Sequence, residues 1–461
     1  MLTELLVFFV IVLAMGWRVR GPIWALAITW LIAMGPIVSG LVTFSDLKDK
    51  NGQLSLIIAL YSGAFVIGAA AFHLTPRVVI PVSAAQRIND WHRHFVRLLP
   101  IANIVWWLAI LGTILLIADF ALLGGEGLSD LATLRDLIVQ AQSASLPKQL
   151  ASVLTWACLY CYVFALLFWK ELSVWGRIRQ LTPIVGYFLT SVLSAGRQAA
   201  LQIMVFTILI VILDASRRQY IARRTGLRIP PNVVARFLMP VMAVLMTSYM
   251  GYIVVARNTD PVSNDKAYVL QKIFHFDVAP IIQNAAVTLG PDFRAAIVEA
   301  SVYFSSSIVV FETFLGVKWQ KLTYGAQSFP FVFRQVSGIT GLDPLQIFHN
   351  KVERLSAEGV LGSSWTTSYS FYMNDFGNIG AAVFLVLLGY YTAYAWWKAR
   401  TRDDFHACLG GLVLMMVTIY MPIFPGLSDT NLFLLWVVAV TVPVLLKSMP
   451  RRRERSRITT A

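Results

Sequence analysis

The sequence predicts an all-α polytopic membrane protein, on three observations. Apolar residues make up 57% of the chain, charged residues only 13%, and the mean hydropathy is +0.67. A water-soluble fold of 461 residues rarely reaches such values. The apolar residues gather into eleven segments, and the Arg and Lys between them fall on alternate sides.

The predicted spans run over about residues 2 to 16, 23 to 44, 54 to 74, 100 to 123, 151 to 169, 181 to 195, 198 to 215, 237 to 256, 378 to 397, 406 to 425 and 430 to 447. The first has Glu4 and no basic residue before it, while Arg18 and Arg20 follow it. It lacks a signal peptide's basic start and reads as a membrane anchor. Placing the tail with Arg451, Arg452, Arg453, Arg455 and Arg457 in the cytoplasm fixes every other loop by alternation. The loops then assigned inside carry 24 of the 38 Lys and Arg, six of them in the one loop from Arg217 to Arg236. Apart from Arg197 at the turn between the sixth and seventh spans, short outer loops hold four: Lys48, Lys50, Arg135 and Lys148. The expected topology is therefore an outer N-terminus and a cytoplasmic C-terminus.

This divides the chain into spans one to eight (1–256), a large outer loop (257–377), spans nine to eleven (378–447) and a basic cytoplasmic tail (448–461). Within the outer loop, Pro291 to Gly316 predicts a helix, with Pro at its start and Gly at its end. Its apolar part is barely long enough to span, and counting it as a span would reverse the charge pattern. It is expected to lie in or dip into the outer interface. The net charge of +14 is accounted for by orientation, so nucleic acid is not an expected partner. Cys158, Cys161 and Cys408 lie inside apolar segments, which implies neither a disulfide framework nor a zinc site.

Spans six and seven meet at Ser194-Ala195-Gly196-Arg197, followed at once by Gln198. The small residues let the helices pack closely and leave a guanidinium at the outer interface. A cation there costs less than the ~3 kcal/mol of a helix centre but still needs an anionic partner. Arg257 stands at the same level at the end of span eight. Two guanidiniums at one depth repel unless an anion lies between them, and a diphosphate matches the arginine fork. Separate surface or ion-paired arginines are the alternative.

The Ser194 to Arg197 corner, the basic cytoplasmic loop and the Arg257-Asn258 step into the outer loop occur in this order. They are followed by the run Gly362 to Tyr369, which leads to Asn374-Asp375-Phe376-Gly377-Asn378-Ile379-Gly380. Together they resemble Wzy-type O-antigen or oligosaccharide repeat-unit polymerases. His349-Asn350, with Glu358-Gly359 and Gly362 after it, is similar to a pattern in the related O-antigen ligases, in which a histidine facing two arginines activates the acceptor sugar. The resemblance implies glycosyl transfer at the periplasmic face of a bacterial inner membrane. The donor would be an oligosaccharide on undecaprenyl diphosphate, within membrane lipid, with a chain-length regulator and a flippase as partner proteins. No cofactor is expected, and no metal, because the nearest outer acidic pair, Asp46 and Asp49, is balanced by Lys48 and Lys50.

On this reading Arg197 and Arg257 bind the diphosphate, with Arg334 a further candidate among the outer-loop cations. The base is His349, with Glu353 or Asp375 as carboxylate alternatives. Tyr324, Trp365 and Tyr369 offer flat faces to sugars, unless they belong to an interfacial aromatic belt. Two other functions remain open at this level: a ligase transferring the glycan to a lipid A core, and a transporter or flippase for the same lipid. The transporter would usually show ionisable residues near mid-membrane, and most spans here carry none.

Overall fold

The computed structural model describes residues 2–16, 21–45, 52–75, 84–123, 146–193, 198–225, 276–281, 291–316, 322–333 and 366–448, with isolated positions between them. Its helices are α1 (Leu2–Gly16), α2 (Pro22–Val38), α3 (Gln53–Leu74), α4 (Ala84–Leu123), α5 (Leu146–Leu154), α6 (Trp156–Leu167), α7 (Val174–Leu193) and α8 (Gln198–Thr225). They continue with α9 (Pro291–Gly316), α10 (Ser368–Thr401), α11 (Phe405–Tyr420) and α12 (Thr430–Ser448). The protein is a helical membrane protein. Five segments, Gln53–Leu74, Asp90–Asp119, Leu150–Leu167, Gln198–Arg223 and Ser368–Thr401, are long and apolar enough to cross a bilayer, and shorter apolar helices accompany them.

Ten of the predicted apolar segments fall largely on these helices; the eighth, 237 to 256, lies outside the described residues apart from two isolated positions. The second is corrected at its end. Helix α2 stops at Val38, the chain turns through Gly40 at φ 69°, and Val42–Phe44 forms strand β1. β1 pairs antiparallel with β2 (Phe276–Val278), Thr43 facing Asp277. The alternation of VTF and FDV puts Val42, Phe44, Phe276 and Val278 on one buried face against Val309. The fifth segment carries a local irregularity at Thr155, where α5 passes into α6 within the one apolar stretch Leu150–Leu167.

Helix α9 has the predicted bounds, and its second half, residues 304–316, packs into the bundle. Ile308, Phe311 and Phe314 join Phe9, Trp30 and Tyr369 in one buried cluster. Ser305 Oγ donates to Ala33 O of α2 (2.9 Å) and Ser307 Oγ to Pro422 O (2.6 Å), so these two buried hydroxyls find partners inside. A second cluster joins α4, α6, α8 and α11 around Tyr160, Phe164, Phe168 and Phe405.

Helices α3 and α10 approach closely, because each presents a glycine to the other's backbone. A Cβ on Gly68 would lie 1.8 Å from Val386 O, and one on Gly389 2.1 Å from Phe65 O. Between apolar helices in lipid, such close backbone contact supplies the dispersion that the hydrophobic effect does not.

Candidate functional site

The Ser194 to Arg197 corner lies outside the described residues, and both helices that flank it are tied into one polar network. Gln198 and Gln202, one turn apart on α8, both donate to Asp429 Oδ2, Gln202 at 2.9 Å. The other oxygen of Asp429 caps α12, accepting from Leu432 N at 2.9 Å. Tyr187 of α7 donates to Gln202 Oε1 (2.6 Å), Asn431 Nδ2 donates to the Tyr187 hydroxyl (3.2 Å), and Thr155 Oγ1 donates to Asn431 Oδ1 (2.8 Å). Burial pushes the Asp429 carboxyl up, and the bonds from Leu432, Gln202 and Gln198 oppose that. The network joins α7, α8, α12 and the α5–α6 junction, so the helix ends on either side of Arg197 cannot splay apart without breaking buried hydrogen bonds. Hydropathy does not reveal this network. Its only trace in the sequence is the i, i+4 glutamine pair at the head of an apolar segment.

At the same end of the bundle, the run Asn374 to Gly380 forms a kink. Gly377 has φ 70° and ψ 178°, which interrupts the α10 hydrogen-bond ladder. The carbonyls freed at Asn374 and Asp375 accept instead from the backbone N–H groups of Thr323 (3.1 Å) and Tyr324 (3.0 Å). The fully buried Asp375 carboxylate completes the clasp, accepting from Thr323 Oγ1, Gln327 N (3.1 Å), Ser328 N (2.7 Å) and Ser328 Oγ. Phe329 of this segment meets Phe433 of α12 at 6.0 Å between ring centroids, which links the clasp to the helix that Asp429 caps.

Two of the candidate residues are held in these buried contacts. Asp375 accepts from four donors and has no exposed edge, which ties the 322–333 segment to α10. Tyr369 is fully buried, with its hydroxyl 2.8 Å from Ser62 Oγ and its ring stacked on Trp30 at 5.4 Å, and offers no face to a sugar. Tyr324 lies on the surface. It is 75% exposed and its φ of 48° is rare for a side chain of that size, a conformation imposed by the clasp beside Gly325. Arg197, Arg257, Arg334, His349, Glu353 and Trp365 lie outside the described residues. Replacing Asp375 with Ala would leave buried donors unsatisfied. The expected loss is at least about 3 kcal/mol, read as a lower unfolding temperature of the solubilised protein.

An apolar groove of about 630 Å³ runs along α2 and α8. Trp24, Ile28 and Ile32 form one wall, Leu201, Ile208 and Ile212 the other, with Phe304 of α9 and Ile423 at one end and Gly21 and Ser216 at the opposite end. From Leu201 to Ser216 it follows the helix for roughly 22 Å at 1.5 Å per residue. Leu201 stands four residues beyond Arg197. The groove's lining and length suit a long hydrocarbon chain. Comparison with known families, with curated proteins and with solved structures finds no match for this chain.

Proposed function

We propose that this protein is a glycosyltransferase of the bacterial inner membrane that polymerises undecaprenyl-diphosphate-linked oligosaccharide repeat units at the periplasmic face. The full topology in this reading has eleven spans, a periplasmic N-terminus and a cytoplasmic C-terminus. The observation that carries it is the apolar groove along α2 and α8, which begins four residues from Arg197 and has the length and lining for a polyprenyl chain. A lipid lying there presents its diphosphate to Arg197, and Arg257 holds it from the other side.

The acceptor hydroxyl attacks the anomeric carbon of the donor glycan, its proton passing to His349. The anomeric C–O bond breaks and its electrons go to the lipid diphosphate. The two guanidiniums neutralise the charge that builds there, which is where a preorganised cationic clamp lowers the barrier. Glu353, one helical turn from His349 in sequence, orients the imidazole. Tyr324 supports the sugar, and Asp375 fixes the segment that carries Tyr324.

The test is extension of a purified lipid-linked repeat unit by the reconstituted protein, followed as a ladder of longer glycans. Transfer to a lipid A core without a ladder would instead make it a ligase, and movement of the lipid across the vesicle without new bonds a transporter. Filling the groove with Ile208→Trp should leave the fold intact and reduce extension at low donor concentration by roughly tenfold, about 1.4 kcal/mol of lost lipid binding. A side chain placed in empty lipid-facing space would change nothing.

A further inference from the structure

We propose that His94, Asp404 and His406 form a binding site for one divalent transition-metal ion of the Zn²⁺ type, at the end of the bundle opposite the Arg197 corner. His94 belongs to the polar first half of α4, and Asp404 and His406 to the turn between α10 and α11. His94 Nε2 lies 3.4 Å from Asp404 Oδ1, and His406 Nδ1 lies 4.0 Å from the same oxygen. One ligand atom from each residue falls within 4.8 Å of the others. An ion bound at about 2.0–2.2 Å from each ligand needs them nearer 3.4 Å apart, a closure of roughly 1 Å that side-chain rotation supplies.

The second observation is His406 itself. It is 1% exposed, and neither ring nitrogen has a hydrogen-bond partner among the described residues. His94 Nε2 faces the same carboxylate from the other side of the group, at 3.4 Å. A buried imidazole without partners is costly to fold around, and an ion between the two rings removes that cost.

The scaffold is already fixed. Asp404 caps α11 through His406 N (2.9 Å) and Ala407 N (3.4 Å), which sets its carboxylate beside the His406 ring. Its neighbour Asp403 is held by Arg217 Nη2 at 2.8 Å, and that guanidinium lies 4.5 Å over the Trp91 ring of α4. Two imidazoles and one carboxylate form a set that suits Zn²⁺ and leaves one position for water. The ion would act as a clasp between α4 and the α10–α11 turn. It is independent of the transfer chemistry at the other end.

The experiment uses tag-free full-length protein in detergent, stripped with chelator and titrated with Zn²⁺ by calorimetry and with Co²⁺ by visible absorption. One ion per chain is expected, with a rise in unfolding temperature on Zn²⁺ addition. His94→Ala and Asp404→Asn should each weaken binding by more than about tenfold, since loss of outer-shell partners alone costs that much. His92→Ala, on the exposed face of the same helix, should bind as the parent does. His94 is only partly buried, so its variant carries the test even where a His406 variant does not fold. Absence of stoichiometric binding, or binding unchanged in the His94→Ala/Asp404→Asn double variant, overturns the site.

Discussion

Arg197→Ala is expected to reduce glycan extension by about 10²–10³-fold while the protein still inserts and accumulates, the loss typical of removing one charge-stabilising group from a preorganised site. Arg257→Ala should do the same. If the two guanidiniums share one diphosphate, the double variant should cost less than the sum of the two single losses. Lysine at either position keeps the charge and loses the fork, so it should restore only part of the rate. The readout is the length distribution of products from a defined lipid-linked repeat unit at matched protein levels. Normal long chains from either alanine variant would remove the clamp from the account.

The largest stability effect is expected at the α3–α10 crossing. Gly68→Val and Gly389→Val each place a branched side chain where even a Cβ would sit 1.8 Å from Val386 O or 2.1 Å from Phe65 O. Neither obstruction is a side chain that can rotate away, so the helices must separate. Separation strips contacts from Ala69, Phe72, Leu385 and Ala393, which are buried along this seam. The cost exceeds the roughly 1–3 kcal/mol of ordinary overpacking. Each variant should lose most of its folded, monodisperse protein after detergent extraction. Gly63→Ala, on the same helix with nothing within 4 Å of the added carbon, should behave as the parent does.

Much of the fold was legible because lipid imposes a simple rule: backbone polar groups must be satisfied internally, so apolar runs become helices. The match of α9 to Pro291 and Gly316 shows how far start and stop residues reach. Where the sequence misled, the cause was tertiary. Val42 to Phe44 continue an apolar run, and only a partner strand more than two hundred residues away makes them β. Hydropathy draws the Leu150–Leu167 span whole and gives no sign of the irregularity at Thr155.

The candidate site was less legible for a related reason. Asp375 and Tyr369 have the chemistry of catalytic and sugar-binding residues, and their burial, which no local pattern reveals, gives them structural work. The Gln198–Gln202–Asp429 network and the His94–Asp404–His406 group draw on residues from two to three distant helices. Neither can be read by spacing.

The most direct test of the account is a structure of the protein with bound undecaprenyl diphosphate. The account predicts the prenyl chain in the groove between α2 and α8, with its phosphates between the guanidiniums of Arg197 and Arg257. Phosphates bound elsewhere, or two guanidiniums pointing away from each other with the groove empty, would contradict it.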